Sequence, residues 1–200
     1  GNVGFLTAVT AIATGGNPVV GTSHSLAIKN DGSVWTWGWN HFGQLGKGDT
    51  ISSTTPVQVS ALTGITAIAG GGYHSFALKN DSTVWAWGRN NHGQLGVGDT
   101  IGSTTPVQVN LLTGIIAIAG GGWGHSFALK NDGTVWSWGQ NFYGQLGLGD
   151  TTDRTIAVQV SGLAGITAIS AGGGHSLALK NDGTIWAWGY NPDRNLVDIA

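Results

Sequence analysis

The chain has 200 residues, a formal net charge of −2 and only 9% charged side chains. That balance carries no basic footprint for nucleic acid. Without cysteine there is no disulfide framework, thiolate metal site or thiol nucleophile, and no apolar run approaches the ~18 residues of a membrane span.

Glu and Met are absent while Thr, Val, Ile and Trp are plentiful, a composition that predicts an all-β chain. In chain order, Gly1-Asn2-Val3 aligns with Val57-Gln58-Val59 and reads as a degenerate outer strand that could complete the last unit. Val9 to Ala13 aligns with Ile65 to Ala69 and reads as a first strand; the insert Gly15 to Val20 lengthens the glycine loop behind it. A block beginning GTSHSLAIKNDGSVWTWGWN follows, and it is rewritten three times, with its histidine at 24, 74, 125 and 175. A fixed period of about 50 residues means a solenoid, propeller or array, in which each unit buries its apolar face against its neighbours.

The second copy shows the unit most plainly. Ile65 to Ala69 alternates large and small side chains, as a strand does. Gly70-Gly71-Gly72 suits close backbone approach. His74 to Lys79 reads as a second strand with Phe76 and Leu78 on one face, and Asn80-Asp81-Ser82 as a hairpin turn, Asn-Asp-Gly in the other copies. Thr83 to Trp87 reads as a third strand whose two Trp share a face. A loop carrying GQLGVGDT leads to a short outer strand from Pro106 to Val109, with Pro at its first position, where an edge strand tolerates it. Four short antiparallel strands make one propeller blade. Burying one Trp removes roughly 150–250 Å² from water, worth at most about 4–6 kcal/mol, so the paired Trp (35, 37, 85, 87, 136, 138, 186 and 188) are expected between sheets. In the fourth copy Asn191 to Leu196 stands where Asn141 to Leu146 stands in the third, and neither Gly-Gln-Leu-Gly nor Pro-Val-Gln-Val follows.

The string GxxHSxALKxDGxVWxWGxNxxGQLGxGD resembles the repeat of the regulator of chromosome condensation family. The resemblance covers nearly the whole chain and implies a β-propeller, usually of seven blades. The expected organisation is one repeat domain over 1–200, with units at roughly 1–59, 60–109, 110–160 and an incomplete 161–200. Three arrangements are open: an arc of a larger propeller, a closed four-blade ring, or two chains pairing into eight blades as a homodimer. The chain, which does not begin with Met, reads as a piece of something longer. Low charge and the absence of Cys and Met suggest a bacterial secreted or cell-surface protein.

Four repeated histidines could ring an axis as metal ligands, but each starts a strand after glycine, where an imidazole satisfies neighbouring groups; a structural role is expected and no metal or cofactor is assigned. Asp49, Asp99 and Asp150 have no partner carboxylate and are expected to accept from backbone N–H groups two residues on. Each Ser after a His points to the opposite face, so a His–Ser dyad is not expected within one strand. No catalytic residue is assigned. Where copies agree, the blade needs the residue; where they diverge, function can act. Divergence falls after the Trp-Gly step and just before the histidine. It singles out Trp39, His41, Phe42, Tyr73, Arg89, Asn91, His92, Trp123, Gln140, Phe142, Tyr143 and Tyr190 as a candidate binding rim on one face. The reading is a non-catalytic scaffold that binds another protein through this rim. A carbohydrate-binding propeller, with Trp39, Trp123, Tyr143 and Tyr190 as sugar platforms, is the alternative. An exchange factor for a small GTPase, which the resemblance brings with it, is the third.

Overall fold

The computed structural model describes residues 6–17 and 21–192, and every regular element in them is a β-strand. Blade 1 comprises β1 (Val9–Asn17), β2 (Thr22–Lys29), β3 (Val34–Gly38) and β4 (Ser53–Gln58). Blade 2 comprises β5 (Ile65–Gly70), β6 (His74–Lys79), β7 (Val84–Gly88) and β8 (Ser103–Gln108). Blade 3 comprises β9 (Ile115–Gly120), β10 (His125–Lys130), β11 (Val135–Gly139) and β12 (Arg154–Gln159). Blade 4 has β13 (Ile166–Ala171), β14 (His175–Lys180) and β15 (Ile185–Gly189). Each blade is an antiparallel meander in sequence order, four-stranded in blades 1–3 and three-stranded among the described residues of blade 4. The proposed closing strand Gly1 to Val3 lies outside the described residues.

Within a blade the register repeats. His74 pairs with Gly88 and Phe76 with Ala86; His125 pairs with Gly139 and Phe127 with Ser137. The turn after β6 places Ser82 at φ 64°, in the left-handed region that Gly32, Gly133 and Gly183 fill elsewhere. Two expectations need correction. Pro106 is the fourth residue of β8, not its first, because the strand begins at Ser103 and the irregular register between Gly88↔Ser103 and Ala86↔Val107 takes up the missing N–H. The start of the insert is strand rather than loop: β1 continues through Gly15, Gly16 and Asn17, paired with His24, Ser23 and Thr22.

The blades stack in chain order. Phe76, Leu78 and Val84 of blade 2 pack against Trp136 and Trp138 of blade 3, and the same positions of blades 1 and 3 pack against Trp85 and Trp87, and Trp186 and Trp188. Trp87 and Trp138 are completely buried, and the first Trp of each pair is half-buried. The pairs of blades 2, 3 and 4 therefore hold adjoining sheets together, as the sequence predicts, whereas Trp35 and Trp37 of blade 1 are half-buried and have no adjoining sheet among the described residues. Near the axis the blades are tied by backbone bonds, Gly16 N to Gly71 O (2.9 Å), Gly72 N to Gly121 O (3.1 Å) and Gly122 N to Gly172 O (2.9 Å). A Cβ on Gly72 would overlap the Gly122 carbonyl, which explains the glycine run. Among the described residues no sheet covers the outward faces of the first and last blades, where Ile12 is 78% and Ile185 59% exposed. No helix among the described residues is long and apolar enough to cross a membrane.

Candidate functional site

The residues that repeat unchanged build a buried lattice between blades. At each junction one main-chain carbonyl of the earlier blade takes two bonds from the next. Gln44 O accepts from Ser75 Oγ and Trp87 Nε1, both at 2.8 Å; Gln94 O accepts from Ser126 Oγ and Trp138 Nε1, both at 2.9 Å. Gln145 O accepts from Ser176 Oγ (2.8 Å) and Trp188 Nε1 (2.9 Å). The indole can come this close because Gly46, Gly96 and Gly147 face it; at Gly46, with φ +70°, a Cβ would lie 2.8 Å from Trp87 Nε1.

The histidines complete this lattice. His24 Nε2 lies 2.8 Å from Ser75 Oγ, and His74 Nε2 lies 3.3 Å from Ser126 Oγ. Each serine spends its proton on the Gln carbonyl, so it accepts from imidazole Nε2–H. His125 Nε2 donates in the same sense to the His175 carbonyl at 3.3 Å. The Nδ1 atoms of His24, His74 and His125 are buried without a partner. Burial lowers these pKa values from 6.5 to about 4 for His24, about 3 for His74 and about 4 for His125, helped at His74 by the neighbouring imidazoles. The expected structural role holds for His24, His74 and His125, with one amendment. His and Ser do pair, across blades rather than within one strand, and there they are sealed from solvent with the serine proton already committed. Among the described residues no group of three or more His, Cys, Asp or Glu is placed to hold a metal ion.

The Asp expectation is also met: Asp49, Asp99 and Asp150 accept from the N–H of Ile51 (2.8 Å), Ile101 (2.9 Å) and Thr152 (2.9 Å). Sequence reasoning passed over their partners. Asn40, Asn90 and Asn141 are buried, and each clamps its loop from inside. Asn90 Nδ2 donates to Asp99 O and Ile101 O (both 3.1 Å), and Leu95 N donates to Asn90 Oδ1 (2.9 Å). The repeated Trp-Gly-x-Asn string was the available signal.

On this frame the divergent positions share one face, because they follow the ends of β3, β7, β11 and β15 or precede the starts of β6 and β10. They gather into two aromatic clusters, each bridging a blade junction. Over blades 1 and 2, Trp39 contacts His41 (centroids 4.7 Å), Phe42 (5.4 Å) and Tyr73 (5.5 Å). The Arg89 guanidinium lies 4.9 Å from the Phe42 ring and 5.3 Å from the Tyr73 ring. Over blades 3 and 4, Trp123 meets Tyr143 (5.3 Å) and Tyr190 (4.9 Å), these two meet at 4.6 Å, and Phe142 packs on Tyr143 at 4.9 Å. Trp123 lies across Gly174, where any Cβ would run into its ring. Phe142 is 68% exposed, and Trp123, Tyr143 and Tyr190 also face solvent. Between the clusters the rim is polar: His92 Nδ1 sits 2.8 Å from Asp153 Oδ2, and Asn91 Oδ1 accepts a long bond from Gln94 Nε2 (3.4 Å). Gln140 turns inward, its Oε1 buried without a partner, so it stands apart from the exposed clusters.

Comparison with known proteins follows this geometry. The model of the RCC1-like domain matches residues 6–198. The ultraviolet-B receptor UVR8 of Arabidopsis thaliana is 36% identical over 142 residues, which is 70% of this chain and 21% of that protein. The human probable E3 ubiquitin-protein ligase HERC3 is 37% identical over 137 residues, 67% of this chain and 8% of that protein. Among solved structures, that of Kap60 bound to yeast RCC1 (Prp20) matches with a TM-score of 0.79 at 25% identity, over 93% of this chain and 45% of the matched one. Human WBSCR16 matches with a TM-score of 0.78 at 25% identity, over 92% and 48%. The chain thus spans about a fifth or less of these curated relatives and under half of these solved chains. Repeat, blade and junction lead to one conclusion: this chain belongs to the RCC1-like domain family, and its sheets are blades of a β-propeller.

Proposed function

We propose that this protein is a non-catalytic scaffold that binds another protein through the aromatic rim. One observation carries the reading. On a chain with 9% charged residues, the positions free to vary between repeats have become two ring clusters on one face, one exposed over blades 3 and 4 and one partly exposed, through His41 and Phe42, over blades 1 and 2. Exposed, mutually buttressed aromatic side chains give a large contact area at small entropic cost, the usual chemistry of interface hot spots. Structures of the relatives agree in kind: one holds Kap60 bound to yeast RCC1, and another is reported with the binding of Prp20p from Saccharomyces cerevisiae to Gsp1p and histones.

The carbohydrate alternative asks for open, flat ring faces. Here Trp123, Tyr143 and Tyr190 are tilted by 47–61° and spend their faces on one another, which favours a protein partner. Affinity capture from the source organism with the wild-type chain and with a Trp123→Ala/Tyr143→Ala variant tests the proposal. A partner retained by the first and lost, at least roughly tenfold, by the second is expected; equal capture refutes it. Binding on a glycan array would move the reading to the sugar alternative, and accelerated nucleotide release from a small GTPase would move it to the exchange factor. The open faces of blades 1 and 4 are where a second copy would pack in a homodimer, and sedimentation equilibrium decides between one chain and two. A bacterial surface origin draws no support from these relatives, which come from Arabidopsis, human and yeast.

A further inference from the structure

Cationic side chains in this fold are given carboxylates. Lys47, Lys79, Lys130 and Lys180 each pair with the Asp two residues on, and Arg154 pairs with Asp150. Lys29, at the end of β2 away from the rim, lies over the Trp35 ring at 5.6 Å and acts on the Asp31 charge. Arg89 is the exception. Among the described residues its guanidinium makes no ion pair and no hydrogen bond, and its contacts are the rings of Phe42 and Tyr73. The carboxylates of the rim loops are committed elsewhere. Asp49 is held by Lys47, Ile51 N and Asn40 Nδ2, and Asp99 by Ile101 N and Asn90 Nδ2. Asp153 spends one oxygen on Asn141 N (2.7 Å) and the other on His92 Nδ1 (2.8 Å).

The unpaired cation is nevertheless held in place. Arg89 N donates to Tyr73 O (2.9 Å), which ties the two backbones together, and Phe42 N donates to Oε1 of the buried Gln44 (3.0 Å). Phe42 and Tyr73 meet edge to face at 5.3 Å. Rings braced in this way position a half-buried guanidinium whose N–H donors have no acceptor within the described fold. Such a group is preorganised for an acceptor from outside, and its planar fork of donors matches a carboxylate.

The other aromatic cluster supplies an internal comparison. Tyr190 N donates to Gly174 O as Arg89 N does to Tyr73 O, so Tyr190 and Gly174 occupy the places of Arg89 and Tyr73. The ring missing at Gly174 is replaced by Trp123, which lies across it. Both clusters therefore offer apolar rings at a blade junction, and the one over blades 1 and 2 adds a positive charge.

We infer that the cluster over blades 1 and 2 reads a carboxylate: it takes an Asp or Glu side chain of the partner protein onto Arg89, with an apolar neighbour of that residue against Phe42 and Trp39. This inference rests on the rim being the binding face and names the chemistry of what binds there.

A phage-displayed library of random dodecapeptides, panned on the immobilised whole chain and in parallel on Arg89→Gln, tests it. The wild type should enrich Asp or Glu beside Trp, Phe or Leu. Arg89→Gln should lose the acid and keep the apolar preference, which also shows its cluster to be intact. In fluorescence anisotropy, changing the acid of a selected peptide to its amide should weaken binding to the wild type at least roughly tenfold and binding to Arg89→Gln by less than about twofold. Arg89→Lys, which keeps the charge without the fork, should fall between the two. Absence of acid enrichment on the wild type, or an equal loss on both proteins, overturns the inference. So does displacement of the peptide by inorganic phosphate beyond a chloride control of equal ionic strength, which would give the site to a phosphate. Peptides that carry no acid yet are lost on Phe42→Ala would leave the rim reading standing while this inference falls. Peptides indifferent both to Phe42→Ala and to Trp123→Ala/Tyr143→Ala would remove both.

Discussion

At the scale of single residues, three buried neutral imidazoles tie stability to pH. His24, His74 and His125 keep folded pKa values of about 4, 3 and 4 against 6.5 for the free side chain. Below 6.5 the unfolded chain takes up protons that the folded chain refuses. The stability they confer is therefore complete above pH 6.5 and is lost as pH falls toward 4, by about 1.4 kcal/mol per pH unit for each imidazole. Urea unfolding from pH 7 to 4.5 should show a midpoint that falls steeply below about pH 6; His74→Gln should flatten that slope, and an unchanged slope would contradict the assignment. The indole–carbonyl bond can be weighed in the same way. Trp138→Ala should cost about 3–5 kcal/mol through the cavity it leaves. Trp138→Phe should cost about 1–2 kcal/mol, since Ser126 still satisfies Gln94 O; paired denaturation curves measure both. That His24, His74 and His125 were structural could be read from their place within three residues of a glycine, although His24 lies at the third residue of its strand and not at the start. Their partners could not, because Ser75 and Ser126 lie a whole repeat away in the chain.

At the scale of elements, the second and third strands were legible almost to the residue, since alternation and the Asn-Asp-Gly turn leave little freedom. The outer strand was misplaced because Pro106 looked like a beginning, whereas on an edge with irregular register a proline is tolerated in mid-strand. The long loop was read as punctuation, yet it is shaped from within by a buried amide. Asn90→Ala would orphan Leu95 N and two carbonyls, for an expected loss of about 1–3 kcal/mol. Asn91→Ala, one residue along and exposed, should change stability by less than about 0.5 kcal/mol. Thermal melts of the two variants side by side check the contrast.

At the scale of the molecule, contacts run from each blade to its neighbours, so stability should be graded rather than uniform. Blades 2 and 3 have sheets on both sides; among the described residues blades 1 and 4 each have a sheet on one side only. Native-state hydrogen exchange should therefore be slowest in β6, β7, β10 and β11 and fastest in β15, and equal protection of all blades would contradict the picture. The number of blades and the face holding the rim followed from the period and the strand directions. Which rings would meet did not, because Trp123–Tyr190 and Phe42–Tyr73 are contacts between blades, set by how one sheet twists over the next. The shared Gln carbonyl has a bearing on synthesis. Each GQLG turn is fastened by donors encoded some thirty to forty residues later, so a turn leaving the ribosome must wait for its successor before it is held. The face that carries the aromatic clusters would thus set in a wave from the amino-terminal end, each new module locking the one before it.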